Sequence, residues 1–154
     1  MDWGNLFFGF SGRTNRAKFW IAALVYAAVS VLLAILVYVT DQNGVFQAIN
    51  GMLNIVILIS GIAAGVKRLH DRNRSGWYLL LFYVLPGILG GSIVVVGATT
   101  DETTIVTTIL GLLAFAISVW AFVEMACLRG TIGVNPYGPD PVGPTIVPPI
   151  RTPV

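Results

Sequence analysis

Four runs of apolar residues, each about as long as a bilayer is thick, constrain this chain more than any other feature. They cover residues 19–39, 45–66, 77–98 and 105–128. A helix needs roughly 20 apolar residues to cross the hydrocarbon core, where only helices and closed barrels satisfy the backbone polar groups. The connectors TDQNG and TTDETT are too short to be domains. The sequence therefore predicts an all-α fold, a compact bundle of four transmembrane helices.

The composition supports a membrane protein and excludes some partners. The 154 residues are 56% hydrophobic and only 10% charged, whereas soluble domains carry about 25% charged residues. A net charge of +2 is too small to suggest a nucleic-acid binder, so we expect no nucleic-acid partner. Cys127 is the only cysteine, which excludes an intrachain disulfide.

The basic residues all fall on one side of the predicted bundle. They precede the first span, lie between the second and third, or follow the fourth. The opposite connectors carry only Asp41, Asp101 and Glu102. Short loops rich in Lys and Arg stay in the cytoplasm. We therefore expect a multi-pass protein with both termini and the central loop on the cytoplasmic side.

The two ends of the chain have different patterns. Trp3, Leu6, Phe7 and Phe10 recur at helical spacing, which predicts a short N-terminal helix lying in the membrane interface. The stretch 136–154 contains seven prolines and has almost no apolar period. We expect residues 1–141 to form one membrane-embedded domain and residues 142–154 to form a flexible cytoplasmic tail.

A few polar residues lie inside the predicted spans. A carboxylate such as Glu124 is costly in a bilayer, though less so near the end of a span. Asn50 and Asn54 are one helical turn apart. These three residues favour one alternative function, a small transporter or channel that uses the bundle interior. Otherwise we expect a neighbouring side chain to neutralise Glu124: Arg68, His70 or Arg129.

The segment KRLHD, residues 67–71, follows the second span directly. If the helix continues through it, Lys67 and Arg68 lie four and three residues before Asp71, which are salt-bridge spacings. We expect Asp71 to pair with Arg68, and we expect Arg68, His70 and Asp71 together to have fixed partners in the segments that flank the bundle. The candidates are Arg13 or Arg16 and the turn from Asn135 to Asp140. Arg74, by contrast, is expected at the solvated end of the loop.

Three motifs now stand on the predicted cytoplasmic side: FFGFSGRTNRAKFW, VKRLHDRNRSGWYLL and RGTIGVNPYGPDP. Over residues 3–141 the chain closely resembles the "domain of unknown function 805" family of small bacterial inner-membrane proteins. The resemblance implies a four-helix protein of the bacterial inner membrane, and it implies no activity. Pro136 departs from the pattern, because relatives commonly have a larger and often charged residue there.

The three motifs supply the candidate binding residues, which are all polar: Arg13, Arg16, Arg68, His70, Asp71, Arg72, Asn135 and Asp140. One interpretation is a charge-paired loop that only anchors the topology. A second is a cytoplasmic cap that binds anionic lipid headgroups, because basic residues near such a surface contribute about 1 kcal/mol each and guanidinium groups match phosphate geometry. A protein partner or a second copy of the chain is a further possible ligand of this cap.

Chemistry at the same residues is the third interpretation. His70 and Asp71 are conceivable as an acid/base pair. However, the sequence has no HExxH motif and no second His or Cys to complete a transition-metal site. We therefore expect a protein that is not an enzyme and that needs no cofactor or metal.

Overall fold

The computed structural model of the chain describes residues 3–40, 43–99 and 105–143. These residues are all-helical, with no β-strand among them. The helices are α1 (Trp3–Phe8), α2 (Arg16–Val39), α3 (Gly44–Asp71), α4 (Leu85–Thr99) and α5 (Ile105–Phe122). The π-helical segments Leu80–Val84 and Val123–Cys127 precede α4 and extend α5. The all-α prediction is confirmed. Most of the predicted tail and the acidic residues Asp41, Asp101 and Glu102 lie outside the described residues.

Three helices are long and apolar enough to cross a membrane: Arg16–Val39, Gly44–Asp71 and Ile105–Cys127. They correspond to the first, second and fourth predicted spans. The third candidate is the shorter apolar helix Leu80–Val96. A turn at residues 76–77 precedes it, and the Tyr78 N–H donates to the Ser75 carbonyl at 3.2 Å.

The second helix is longer than its predicted span, which ended at residue 66. Helix α3 continues to Asp71 and carries KRLHD in its last turns. It stops where Asn73 adopts a left-handed conformation, with φ of 57°, which Asn tolerates better than most residues. The charged segment is therefore rigid helix, and its side chains have fixed directions.

A wide turn precedes Pro86. Proline has no N–H and its ring clashes with the preceding helical turn, so the sequence predicts a kink in this span. The structure has a π-helical segment, Leu80–Val84, directly before it, closed by the Leu85 N–H donating to the Leu80 carbonyl. Such wide turns are the usual form of a local helix distortion.

The helices form two hairpins that meet at one end. Helix α2 packs on α3 and α4 packs on α5, while the hairpins meet around the π-helical extension of α5. A small buried cluster marks this junction: Leu69, Leu79, Phe82 and Met125. Away from it, most apolar side chains of the long helices face outward. Exposed apolar surface of this extent fits acyl chains and not water.

Helix α1 packs partly on the protein and not only toward a membrane interface. Leu6 is buried, and the Phe7 ring meets Tyr26 of α2 edge-on at 5.9 Å. Lys67 of α3 donates to the carbonyl oxygens of Asn5 and Leu6. Phe10 remains exposed, as predicted for an interfacial residue. The side chain of Trp3 lies outside the described part of the structure.

Candidate functional site

Asp71 lies at the centre of a buried ion cluster. Its Oδ1 accepts hydrogen bonds from Arg13 Nε at 3.1 Å and Nη2 at 3.0 Å. Its Oδ2 accepts from Arg68 Nη1 at 2.6 Å. The three side chains are at most 3% exposed. We call Arg13, Arg68 and Asp71 the Asp71 cluster; the predicted Arg68 pairing is confirmed, and Arg13 is the second partner.

The remaining donors of Arg13 bind backbone carbonyls in the segment after α5. Its Nη2 donates to Thr131 O at 2.5 Å, and its Nη1 donates to Gly133 O at 2.6 Å and Gly138 O at 3.2 Å. These oxygens carry partial negative charge, so they offset part of the positive excess of two guanidiniums around one carboxylate. Arg13 is therefore fully engaged inside the protein and is not open to a phosphate.

Arg68 and its neighbours cap the end of α5. The last carbonyls of a helix have no partner within it and carry the negative end of its dipole, which favours cationic donors. Four consecutive carbonyls each accept a side-chain donor: Met125 and Leu128 from Arg68, Ala126 from Trp20, and Cys127 from Arg16. The basic motif thus closes the second hairpin onto the first.

The segment after α5 docks directly on the end of α3. The Asp71 carbonyl accepts from Thr131 N at 2.7 Å and from Thr131 Oγ1 at 3.0 Å. Asn135 Nδ2 donates to His70 O at 2.9 Å. At Gly130 an added Cβ would overlap the Asp71 carboxylate. Only glycine fits there, because the backbone runs directly past the carboxylate.

His70 is held in place by contacts on two sides within the cap, which consists of residues 11–18, 67–77 and 124–142. Its Nδ1 lies 3.2 Å from the Gly12 carbonyl, which can only accept, so Nδ1 carries the proton. Its ring stacks on Tyr137 with centroids 3.9 Å apart and planes within 6°. The imidazole is therefore held between the N-terminal loop and the C-terminal segment.

Glu124 is neutralised by residues other than those expected. Its Oε1 accepts from Arg74 Nε at 2.7 Å and Arg72 Nε at 3.2 Å, and the carboxylate is 5% exposed. None of the partners expected from the sequence, Arg68, His70 or Arg129, forms an ion pair with Glu124 in the described structure, and Arg68 contributes only longer-range attraction. Arg74 is also not simply solvated, because the turn after α3 carries it back over the end of α5. The hydrogen bond to Glu124 raises the pKa of Arg74 above its ordinary value.

Asp140 shapes its own segment. Its Oδ2 accepts from Gly133 N at 3.2 Å and its Oδ1 from Val142 N at 2.9 Å. These backbone donors, Val142 first, hold the pKa of Asp140 below its ordinary value. Pro136 lies exposed at the tip of a turn closed by reciprocal Asn135–Gly138 backbone hydrogen bonds. Its departure from the family pattern therefore disturbs no contact of the Asp71 cluster.

The structure does not bring Glu124 together with Asn50 and Asn54. Asn54 Nδ2 donates to Asn50 O at 2.8 Å and Oδ1 at 2.7 Å, within α3, and Asn54 is exposed. The pair lies roughly 20 Å along the helix from the cap, where Glu124 is bound. A cavity of about 650 Å³ between α2, α3 and the π-helical segment is lined mainly by aliphatic side chains and by none of these three residues.

A second, polar cavity was not predicted. It has a volume of about 220 Å³ and lies where α1, the loop before α2 and the end of α3 meet. Its lining is mostly polar: Asn5, Leu6, Ser11, Gly12, Arg13, Thr14, Lys18 and Lys67. The segment SGRTNRAK contributes to this lining, but in the sequence it indicated only a basic stretch before the first span. Within the described ranges, no three His, Cys, Asp or Glu side chains lie close enough together to hold a metal ion.

The chain is similar to a family of proteins and to several known relatives. The family described as "Protein of unknown function (DUF805)" matches residues 7–139. Inner membrane protein YhaH of Escherichia coli (strain K12) is 27% identical over 150 residues, covering 92% of this chain and 97% of that protein. Inner membrane protein YhaI of the same strain is 26% identical, covering 86% of each chain. Uncharacterized protein YiiR is 32% identical, with the same coverage. No solved structure matches this chain.

Proposed function

Because this chain belongs to the DUF805 family of proteins of unknown function, and relatives in it are named inner membrane proteins, we propose that it is a multi-pass inner-membrane protein whose cytoplasmic cap binds anionic lipid headgroups. The cap consists of residues 11–18, 67–77 and 124–142. The proposed role is binding and not catalysis, since the acid and base candidates His70, Asp71 and Glu124 are engaged in internal contacts.

The observation that carries the proposal is an uncompensated positive charge on the cap. The described residues include eight Lys and Arg side chains and three carboxylates, all of them in the cap. Asp71 and Glu124 are each surrounded by two arginines. Arg16 binds only a carbonyl, and the side chains of Lys18 and Arg129 have no partner among the described residues. Such charges attract the anionic cytoplasmic leaflet by about 1 kcal/mol each.

Exposed aromatic residues support the placement of the cap at the headgroup level. Phe8, Phe10, Trp20 and Trp77 are exposed around it. Tryptophan is enriched where a membrane meets water, because its ring is amphipathic. Exposed aromatic side chains together with basic residues are expected at a membrane interface.

The proposed topology has four spans and both termini in the cytoplasm. The third span is Leu80–Thr99, whose five π-helical and 15 α-helical residues give about 30 Å of helix, the thickness of a hydrocarbon core. The basic cap supports a cytoplasmic location of this end. Reporter fusions near Asp41 and Asp101 should be periplasmic, and fusions at Arg72 and after Val154 should be cytoplasmic. A cytoplasmic signal near Asp101 would reduce the spans to fewer than four.

Lipid binding is tested by native mass spectrometry of the gently extracted full-length chain. We expect phosphatidylglycerol or cardiolipin to be retained in preference to phosphatidylethanolamine, and the preference to weaken as salt screens the cap. The triple substitution of Arg16, Lys18 and Arg129 by Gln should abolish it. Equal retention of anionic and zwitterionic lipids would contradict the proposal. The same spectrum reports whether a second copy or another protein accompanies the chain.

A further inference from the structure

The polar cavity beside α1 has the lining of an anion site, and this inference rests on the proposed function while going beyond it. We propose that the cavity lined by Ser11, Gly12, Lys18 and Lys67 binds one phosphoryl group, from an anionic lipid or from a free phosphate compound. The proposal thus assigns a discrete pocket where the cap charge alone would give only diffuse attraction.

Some of the hydrogen-bond donors that line the cavity have no acceptor in the described part of the chain. Within residues 3–40, 43–99 and 105–143, the backbone N–H groups of Ser11, Gly12 and Arg13 have no hydrogen-bond partner, and neither do the side chains of Ser11 and Lys18. Ser11 is exposed and the other two residues are partly buried, so water can accept from these N–H groups and an anion that enters the cavity can take its place. Gly12 has a φ of 89°, and successive N–H groups around such a residue form concave anion-binding surfaces.

Among the described residues that line the cavity, every charged side chain is positive. Two ammonium groups, those of Lys18 and Lys67, belong to the lining, and no carboxylate does. Hydrogen bonds from Lys67 to the carbonyl oxygens of Asn5 and Leu6 fix it in the wall. Lys18 lies in the first turn of α2, after the cap residue Asn15, whose side chain accepts from the Lys18 N–H at 2.9 Å. The Lys67 ammonium group is therefore held in the wall, and the helix fixes the backbone of Lys18 while its side chain remains available to a ligand.

The volume and the position of the cavity fit a headgroup. About 220 Å³ equals roughly seven water molecules at ~30 Å³ each, and a phosphate group has five heavy atoms. The neighbouring Phe8 and Phe10 are exposed, as interfacial aromatics would be among lipids. If these residues lie in the interface, the cavity lies at the level of the lipid phosphoryl groups.

Lys18 and Arg129 form a matched pair for the test. Both are cap cations without a side-chain partner in the described structure, but only Lys18 lines the cavity. In about 1 M salt the Debye length falls to about 3 Å, so diffuse attraction is suppressed. Under these conditions Lys18→Ala should weaken binding of short-chain phosphatidylglycerol to the detergent-solubilised full chain about tenfold or more, because a charged hydrogen bond is lost. Arg129→Ala removes a positive charge outside the cavity and should weaken binding much less, and Ser11→Ala should also weaken it less than Lys18→Ala does.

Inorganic phosphate distinguishes the two sources of the ligand. Competition by phosphate against the lipid identifies the phosphoryl group of a lipid as the ligand. Stabilisation by phosphate alone, lost in Lys18→Ala and not matched by the lipid, identifies a free phosphate compound. If Lys18→Ala and Arg129→Ala weaken lipid binding equally while the preference for anionic lipid remains, the proposed phosphoryl site in the cavity is wrong and the proposed function stands. If the protein shows no preference for anionic lipid and phosphate has no effect, the cavity site and the proposed function are both wrong. Thermal stability without ligand controls for folding.

Discussion

Arg13 and Asp71 are 58 residues apart in sequence and form an ion pair of 3.0 Å between Nη2 and Oδ1. Arg13 precedes α2 and Asp71 ends α3, so the pair joins the two ends of the first hairpin. The same two residues bind the segment after α5 through Thr131. Asp71 thus binds the segment before α2 through its carboxylate and the segment after α5 through its backbone carbonyl.

Asp71→Asn should destabilise the protein more than any other single change in the cap. It leaves Arg13 and Arg68 buried without a counter-charge, and losing one partner of a buried pair costs about 3–5 kcal/mol. Thermal unfolding in detergent measures the loss. Arg129→Ala is the control, because that side chain is exposed. A loss as small as that of the control would show that the cluster contributes no stability.

Glu124 and Arg74 should show energetic coupling in a double-mutant cycle. Their atoms are 2.7 Å apart, with the carboxylate buried and the guanidinium 35% exposed. A fully exposed pair contributes about 0.2–1 kcal/mol, and this half-buried pair should reach the top of that range or exceed it. Coupling near zero, with Glu124→Gln and Arg74→Ala simply additive, would make Arg74 the solvated residue that the sequence suggested.

Gly130→Ala should destabilise the cap although it adds a single methyl group. The Cβ would overlap the Asp71 carboxylate, which is held by Arg13 and Arg68 and cannot move away. Overpacking of this kind costs about 1–3 kcal/mol. Gly87→Ala in α4 is the matched control, since its Cβ would meet open space and alanine favours a helix. Equal stability of the two variants would mean that the cap yields around residue 130.

Sequence patterns predicted these contacts only where they are local. The Arg68–Asp71 pair follows from helical spacing, and the clustering of basic residues at one end follows from the order of the apolar runs. Arg13 remained one of two candidates, because a pairing 58 residues apart depends on how the hairpin closes. The partners of Glu124 were missed because the left-handed conformation of Asn73 sets the direction of the turn, and no sequence pattern predicts that conformation. The polar cavity forms only where α1, the loop before α2 and the end of α3 meet, so no pattern within one segment predicts it.

The segment after α5 contains a carboxylate whose hydrogen bonds depend on its charge. Asp140 accepts from the N–H groups of Val142 and Gly133, which lower its pKa. A depressed pKa in the folded state means that the contribution to stability is present above the unfolded value, about 3.9. It is lost as the pH falls through the lower folded value. Acid should therefore release this turn.

The release can be followed residue by residue in detergent-solubilised protein. As the pH falls from about 5 to about 2, the amide resonances of Val142 and Gly133 should shift together, with a midpoint below about 3.9, as the carboxylate protonates. Asp140→Asn is the control: its amide oxygen can still accept, but it carries no charge, so both resonances should stay constant. A midpoint at or above the ordinary value would mean that the two backbone N–H groups do not hold the carboxylate in solution.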